Sequence, residues 1–457
     1  AAVPLLVLVV AYLRVRGFAL DVRWALAAVV LAAGLTGAAA LAMRQADAED
    51  AGASAEDRTE DADGDDPGAA TSASVARHRA GAHAAGAVGA LALACAMLLT
   101  EQWLTLAVAL FLPPLAWIEA RTDLAALRRV ALAVAGVVLV RLLLNGFVLG
   151  YAFAGPPVLN TLLLAYGVPA ACFALAAVLF RRRGDDATVA VLEAGALAFL
   201  TALALLEVRH AMTGGSLAAY PDGDRFWSFR EAAFQCLALA LLATGVRRLD
   251  ARLGGRAVLA WGWRAQQAAS MLLGLFLLLV VNPAIHADSG VIGVPVFNEL
   301  LIAYALPALL AAAAARAPET AWPEGARPVL GAYALAMLFG WVTLEVRHHF
   351  QPAAMLLDLA PPEGAELYAY SLAWLGLGAA LLAVGVQRGV KALRLAALAL
   401  IALTVLKAFL VDMGGLGGLW RVLSFLGLGL ALIALGWVYR RFVVAPPATP
   451  PPPASPA

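Results

Sequence analysis

The chain contains 457 residues, of which 63% are hydrophobic and 14% charged, and its mean hydropathy is +0.84. Soluble domains are about 45–50% apolar and about 25% charged, so this composition excludes an ordinary soluble globular protein. The 32 basic and 31 acidic residues nearly cancel, but ten acidic residues lie between positions 45 and 70, where the net charge is −9 and the remaining chain therefore carries +10.

Apolar runs of about twenty residues, long enough to cross a bilayer as a helix, recur along the whole chain. Each run is predicted to be helical, because an open strand in lipid would leave its backbone groups without hydrogen bonds. The first run is short, so we expect its helix to begin upstream of residue 1. The prediction is an all-α transmembrane bundle of about fourteen spans, near residues 1–13, 24–43, 81–99, 103–119, 128–149, 157–180, 188–209, 230–247, 257–281, 295–315, 328–347, 367–386, 392–411 and 417–439.

The spans and the segments between them predict seven regions. Low hydrophobicity and high charge favour disorder in the acidic segment, and a Pro-rich composition favours an extended, unpacked tail. The regions are an N-terminal hairpin (1–44), a disordered acidic cytoplasmic loop (45–80), a second hairpin (81–126), two four-span repeats (127–255 and 264–390), a C-terminal hairpin that forms a partial third repeat (391–443) and a disordered tail (444–457).

Arginine and lysine are concentrated in alternate loops, which the positive-inside rule assigns to the cytoplasm. The C-terminus is predicted to lie on the same side. Arg14, Arg16 and Arg23 disagree with this orientation, and the concordant loops outweigh them. The cytoplasmic assignment rests on Arg121, Arg128, Arg129, Arg181, Arg182, Arg183, Arg247, Arg248, Arg252, Arg256, Arg316, Arg327, Arg388, Lys391, Arg394, Arg440 and Arg441.

Two pairs of segments repeat at a spacing of 138 residues. Residues 155–170 read GPPVLNTLLLAYGVPA and residues 293–308 read GVPVFNELLIAYALPA. The same shift places the LEVRH of residues 206–210 on the LEVRH of residues 344–348. Two matches at one offset predict duplicated units, and an even number of spans gives both units the same orientation about an axis along the membrane normal.

Each copy carries two prolines and two polar residues at matching positions. We place Pro157 and Pro295 in a first helical turn, where the missing N–H costs little. Pro169 and Pro307 lie about twelve residues later and are expected to kink the span. The polar residues either cap and join helices or line a cavity opened by the kinks, and both interpretations stay open. They are Asn160, Asn298, Tyr166 and Tyr304.

Ionisable side chains near the ends of spans are the main functional candidates, because a charge inside a bilayer is costly unless it is paired or hydrated. A glutamate and a histidine three residues apart share one helix face, and the arginine between them points elsewhere. We predict an outward-facing polar pocket for binding or proton coupling, with structural ion pairs between the repeats as the alternative. Arg141 and Lys407 are the expected partners of the glutamates, with Asp412 and Arg421 beside the final hairpin. The charged candidates are Glu207, Arg209, His210, Glu345, Arg347, His348, Arg141, Lys407 and Asp412.

Metal ligands, cofactors and catalytic residues are not predicted. The segment Glu345 to His349 is not an HExxH motif, and adjacent histidines on a helix point about 100° apart. Phosphate-binding and nucleophile-elbow motifs are missing too, so an enzyme is disfavoured. The expected partners are the lipid bilayer and envelope proteins but no nucleic acid, and the small-molecule or lipid substrate is unspecified.

Three C-terminal segments resemble the bacterial predicted membrane protein family DUF2339. They are LKAFLVD at residues 406–412, GGLWRVLSFLG at 417–427 and GWVYRRF at 436–442. The EVRH segments and YSLAWL at residues 370–375 are similar to the same family. This resemblance implies a multi-span protein of the bacterial inner membrane whose longer members carry further N-terminal sequence. The acidic insert departs from the family pattern, and the resemblance supplies no catalytic residues.

Three functions are compatible with these observations. The first is transport or lipid handling through the outward-facing pocket. The second is a non-enzymatic scaffold of an envelope assembly, with the acidic loop and the Pro-rich tail as contacts. The third is a transferase of lipid-linked substrates.

Overall fold

A computed structural model describes residues 2–17, 19–56, 67–122, 124–144, 150–151, 153–219, 228–286, 291–317, 322–353, 355–412 and 419–442. Over these residues the structure is all-α, as predicted, without a β-strand, and an isolated β-bridge joins Gly293 and Asn298. The α-helices are α1 (Ala2–Arg16), α2 (Val22–Glu56), α3 (Pro67–Leu98), α4 (Glu101–Ala109), α5 (Leu112–Thr122), α6 (Ala126–Leu144), α7 (Val168–Arg181), α8 (Ala187–Thr213), α9 (Phe229–Arg252), α10 (Ala257–Leu279), α11 (Leu306–Ala315), α12 (Ala326–Phe350), α13 (Ala365–Gln387), α14 (Lys391–Lys407) and α15 (Leu419–Phe442). Three π-helical turns lie at Leu163–Gly167, Leu301–Ala305 and Ala408–Asp412.

Nine helical stretches within the described residues are long and apolar enough to cross a membrane. The other five predicted spans coincide with α1, α6, α10, the shorter apolar helix Leu301–Ala315, and α15. α1 has 15 residues and spans only about 22 Å, which is short of a bilayer core of about 30 Å. Several spans are thus supported, whereas the count of fourteen and the four-span repeats are not confirmed. The nine are Val22–Ala51, Ser74–Leu98, Trp103–Thr122, Leu163–Arg181, Ala187–Thr213, Phe229–Arg252, Ala326–Phe350, Ala365–Gln387 and Lys391–Asp412.

The predicted acidic loop is helical on both flanks. α2 continues to Glu56 and α3 begins at Pro67, while residues 57–66 lie outside the described residues. Alanine has the highest helix propensity, and it is frequent enough here to outweigh the charged residues between. Arg77 of α3 also pairs with Asp50 of α2. The predicted tail, residues 444–457, lies outside the described part of the chain.

A stripe of small side chains explains why α2 and α3 stay together over such a length. The backbone N–H of Asp21, just before α2, donates to Met97 O near the end of α3 (3.0 Å), so the two helices run antiparallel. At 35 residues α2 is about 52 Å long, well beyond a bilayer core of about 30 Å. Its buried positions alternate in steps of three and four, which keeps one face against a partner helix. They are Ala25, Ala28, Ala32, Leu35, Ala39, Ala42 and Ala46.

The chain divides into two compact units. Unit 1 comprises Ala1–Phe226 with Leu242–Gln266, and unit 2 comprises Trp227–Leu241 with Gln267–Ala457. The core of unit 1 includes three aromatic side chains, Phe173, Phe180 and Phe199, all fully buried. Gly195 of α8 lies so close to the ring of Phe173 that a Cβ would come within 2.2 Å, so only glycine permits this approach of α7 and α8. Unit 2 buries Tyr304, Met337, Leu344 and other apolar groups in a separate core.

An ion-pair network closes the end of unit 1 where α7 ends and α8 begins. Arg128 lies 3.0 Å from Glu119 and 2.7 Å from Asp186. Arg256 lies 2.8 Å from Asp185 and 2.5 Å from Glu193. Hydrogen bonds from the Arg256 guanidinium lower the pKa of Asp185 below its ordinary value. This network uses several of the arginines that the sequence assigns to the cytoplasmic side.

Candidate functional site

In unit 1 a carboxylate at the end of α8 holds the loop that precedes α7. Glu207 accepts hydrogen bonds at Oε2 from the backbone N–H of Val158 (3.0 Å) and from Nδ2 of Asn160 (2.9 Å). Asn160 accepts at Oδ1 the N–H groups of Leu162 (2.8 Å) and Leu163 (3.3 Å), which caps the start of the helix. We call Glu207, Asn160 and Val158 the unit 1 clamp.

His210 extends this clamp on the same face of α8, as the spacing of three residues predicts. Its Nδ1 lies 3.4 Å from Nδ2 of Asn160, and its Nε2 lies 3.1 Å from the carbonyl oxygen of Phe153. The ring thus links the amide of Asn160 to the backbone of Phe153. His210 is 2% exposed, so this ring packs inside the protein and is not open to solvent.

Unit 2 contains the same arrangement at the predicted offset of 138 residues. Glu345 accepts at Oε2 from the N–H of Val296 (3.1 Å) and from Nδ2 of Asn298 (3.1 Å). Nδ1 of His348 lies 3.3 Å from Nδ2 of Asn298, which also caps the helix after it. We call Glu345, Asn298 and Val296 the unit 2 clamp.

Both clamps hold a strained backbone. Val158 and Val296 each have φ of 72°, a conformation that β-branched residues rarely adopt. Such strain costs about 1–3 kcal/mol and persists only where the surroundings impose it. In each clamp the glutamate binds the N–H of the strained valine, so the carboxylate stabilises the turn. Each glutamate is therefore engaged with a backbone N–H and an asparagine side chain.

The loops also correct the predicted positions of the prolines. Pro157 and Pro295 lie within the turns and not in a first helical turn, because the positive φ of Val158 or Val296 delays the helix until after the capping asparagine. Pro169 is the second residue of α7, after the first π-helical turn, and Pro307 has the same place in α11. A π-helical turn accommodates the missing proline N–H within a continuous helix.

The two clamps differ at one position. Nε1 of Trp341 donates to Oε1 of Glu345 (3.0 Å). The corresponding position in unit 1 is Leu203, and Oε1 of Glu207 is buried and has no hydrogen-bond partner among the described residues. Unit 1 thus lacks the indole N–H donor that Trp341 supplies in unit 2.

We expect Leu203→Trp to stabilise unit 1, because an indole N–H would satisfy the buried oxygen of Glu207. Hydrogen bonds to charged groups contribute about 1.5–3 kcal/mol. Thermal unfolding of the purified protein, followed by tryptophan fluorescence, measures the change. Leu203→Phe is the matched control, since it adds a ring without an N–H. Equal stability of the two variants would show that bulk, and not the hydrogen bond, determines the effect.

The arginines of the two LEVRH segments hold the loops that follow their helices. Arg209 donates from Nε to the carbonyl of Leu217 (2.6 Å), and Arg347 donates from Nε to the carbonyl of Met355 (2.9 Å). Arg347 is 1% exposed, and its Nη1 donates to both carboxylate oxygens of Glu366, at 2.9 and 3.2 Å. Glu366 also accepts from the hydroxyl of Tyr370 (2.8 Å). Both arginines therefore have structural contacts in the described structure.

Lys407 and Asp412 pair with each other across the π-helical turn Ala408–Asp412. Nζ of Lys407 lies 2.6 Å from Oδ1 of Asp412 and 2.9 Å from Oγ of Ser371, which donates to Oδ2 of Asp412 (2.5 Å). Nζ also lies 5.9 Å from the ring centre of Trp374. The predicted pairing of Lys407 with a clamp glutamate is thus replaced by a local ion pair.

Arg141 does not join the clamp of unit 1 in the described contacts either. Its Nε donates to Oγ1 of Thr105 (2.8 Å). Arg141, Thr105, Tyr151 and Tyr166 together line a small recess of about 20 Å³. The two tyrosines that the repeat pairs have different contacts. Tyr166 lines this recess, whereas in unit 2 the hydroxyl of Tyr304 donates to the carbonyl of Leu277 (3.0 Å).

The recess opens beside a much larger groove of unit 1, with a volume of about 1040 Å³. Three helices form its walls: α3, α4 and α6. Apart from Thr105, Arg141 and Tyr151, the lining is apolar. The other lining residues are Ala85, Val88, Gly89, Ala92, Ala96, Leu104, Val108, Val130, Ala133, Val134, Gly136, Val137, Val138, Val140 and Leu144.

The structure thus divides most of the predicted site residues among the two clamps with their histidines, the loop contacts of Arg209 and Arg347, the Lys407 pair and the Arg141 recess. Sequence reasoning missed Thr105, Trp341 and Glu366. Trp341 lies one helical turn before Glu345, a spacing that could have identified it. The described residues contain no group of three or more His, Cys, Asp or Glu side chains that could hold a metal ion, and the side chain of Arg421 is outside the described structure.

Comparison with known proteins finds a match to a protein family. A family described as Predicted membrane protein (DUF2339) matches residues 1–442. The curated proteins and the solved structures contain no match.

Proposed function

The chain belongs to the DUF2339 family of predicted membrane proteins, and from this membership and the geometry of unit 1 we propose that it binds and handles a membrane lipid. The observation that carries the proposal is the groove of about 1040 Å³. Ligand pockets typically have about 300–1,000 Å³ and mostly apolar walls with few polar groups, and the groove resembles them in both respects.

The lipid-handling proposal accounts for the membrane-embedded charges better than an ion or proton path does. Both clamp glutamates bind backbone N–H groups, and Lys407 is paired with Asp412. The Arg141 recess, by contrast, borders the groove directly. We therefore place the proposed binding pocket at this groove and not at the clamps.

The proposal includes a location and a topology. The protein is placed in the bacterial inner membrane with its C-terminus and the network around Arg128 in the cytoplasm. The clamps then face the other side. Duplicated four-span units of the same orientation are supported by the two clamps, whose contacts recur at one offset.

Filling the groove tests the proposal. An added side chain at Gly136 meets no protein atom within 4 Å of its Cβ, so Gly136→Trp should project into the groove without disturbing the fold. We expect this variant to lose tightly bound lipid in native mass spectrometry of the purified protein. Gly245→Trp is the matched control, because Gly245 is an exposed helical glycine with the same free space and is not among the groove residues. Equal lipid retention in both variants would contradict the proposal.

A second function, a membrane scaffold, is favoured by α2 and α3. Both helices exceed the thickness of a bilayer core, so part of the pair projects from the membrane and presents charged side chains such as Asp50 and Arg77. Replacing residues 57–66 with a Gly/Ser segment of equal length discriminates between the two functions. A scaffold should lose co-purifying envelope proteins, whereas a lipid-handling protein should keep its bound lipid.

A further inference from the structure

We propose that the groove of unit 1 selects an anionic phospholipid, with the phosphate against Arg141 and an acyl chain along the wall formed by α3 and α6. This inference rests on the proposed lipid-handling function and names the class of lipid. It is carried by the depth of Arg141, the charge of the lining and the chemistry of the adjoining recess.

In the proposed topology Arg141 lies deep within a membrane-spanning region. It follows Arg128 by 13 residues on α6, which is about 20 Å along a helix axis. With Arg128 at one membrane boundary, Arg141 falls within a hydrocarbon layer of about 30 Å. An arginine at that depth is energetically costly and typically marks a functional contact.

The lining carries a positive charge. Arg141 belongs to the residues that line both the groove and the recess, and its guanidinium lies beside otherwise apolar walls. A positively charged group in an apolar groove attracts an anionic head group far more strongly than in water, because the surrounding dielectric constant is low. Guanidinium groups bind phosphate with paired hydrogen bonds, and the lipid with a net negative charge gains most, because the choline cation of a zwitterionic head group offsets the charge of its phosphate.

The recess adds hydroxyl groups beside the guanidinium of Arg141. Thr105, Tyr151 and Tyr166 line it together with Arg141, and its volume of about 20 Å³ holds about one water molecule. Hydroxyls and a bound water can satisfy phosphate oxygens that the guanidinium does not reach.

The walls of the groove favour a lipid over a water-soluble phosphate. They consist of small and apolar side chains, and Val137, Val140 and Leu144 are more than half exposed, so the groove is open to the surrounding acyl chains. A soluble anion would leave this apolar surface uncovered. A phospholipid already present in the bilayer covers the surface with its chain while its phosphate reaches Arg141.

Competition between two lipids with identical chains tests the inference. The full chain is placed in nanodiscs of equal phosphatidylglycerol and phosphatidylcholine, and the lipids retained after release are identified by native mass spectrometry. We expect wild type to retain phosphatidylglycerol preferentially and Arg141→Gln to reduce that preference about tenfold. Arg141→Lys keeps the charge and should keep much of the preference, whereas Gly136→Trp should lower the retention of both lipids.

The outcomes separate this inference from the proposed function. An unchanged preference in Arg141→Gln, or an equal loss of both lipids, would overturn the selection of an anionic head group while leaving lipid binding intact. Displacement of phosphatidylglycerol by oleate at equal concentration would assign the site to a carboxylate and overturn the phospholipid. If Arg141→Gln does not fold, Thr105→Val provides a second test, because it removes the hydroxyl that positions the guanidinium. That variant should lower the preference in the same direction, and an unchanged preference would count against the inference.

Discussion

Replacing Arg347 with leucine should destabilise unit 2 by about 3–5 kcal/mol, because the variant leaves the carboxylate of Glu366 buried without its cation. Arg347 and Glu366 are 1% and 3% exposed, so water cannot take over the lost contacts. Arg347 also donates to the carbonyls of Met355 (2.9 Å) and Leu356 (3.1 Å), which hold the loop before α13. Thermal unfolding of the purified protein in detergent measures the loss.

Two further variants establish the origin of this loss. Arg388→Leu removes an exposed arginine at the end of α13 and should change the unfolding free energy by no more than about 0.5 kcal/mol. The double variant Arg347→Leu with Glu366→Gln should be less unstable than the sum of the single variants, because the uncompensated charge is gone. Wild-type stability in Arg347→Leu would show that the pair contributes little.

Replacing Gly293 with alanine should destabilise the unit 2 clamp strongly. Gly293 has φ of 129°, and a Cβ there would lie 2.6 Å from the carbonyl oxygen of Phe297 and 2.6 Å from the Cα of Asn298. The contacts are with backbone atoms, which cannot rotate away. The unfavourable φ alone costs about 1–2 kcal/mol, and displacement of Asn298 would weaken its hydrogen bond to Glu345.

Gly155 occupies the matching place in unit 1, and Gly155→Ala should show the same effect because its Cβ would lie 2.6 Å from the carbonyl oxygen of Leu159. Gly331→Ala is the control, since Gly331 lies in α12 with free space around it. In a helix this change should stabilise the protein by about 0.5–1 kcal/mol. Hydrogen exchange of residues 291–300 measures the local effect, and unaltered protection in Gly293→Ala would refute the role of the glycine.

The sequence identifies the glutamate and the asparagine of each clamp as candidates, but it predicts neither the contact between them nor the valine. The offset of 138 residues pairs Asn160 with Asn298, and the spacing of three residues brings Glu207 together with His210. The first relation follows from the internal repeat and the second from helical periodicity, and both can be read from the sequence. The sequence did not predict that the clamps hold a strained turn, because valine is not a residue type that indicates a positive φ.

The pairing of Lys407 with Asp412 shows why other contacts escaped prediction. Residues five apart in a regular α-helix point about 140° away from each other and do not meet. The π-helical turn Ala408–Asp412 changes that relation and brings the two side chains to 2.6 Å. The extension of α2 beyond its predicted span was missed for a different reason, since the acidic residues obscured a regular stripe of alanines that extends to Ala46.

The clamp and the arginine network at the opposite end of α8 should respond differently to ionic strength. In the clamp, the charge of Glu207 is balanced by the dipoles of neutral N–H groups from Val158 and Asn160, which dissolved ions scarcely screen. At the other end, Asp185 is largely exposed and pairs with Arg256, so added salt weakens that attraction. One helix thus joins a salt-resistant end to a salt-sensitive end, and in concentrated electrolyte unit 1 should loosen first around Asp185.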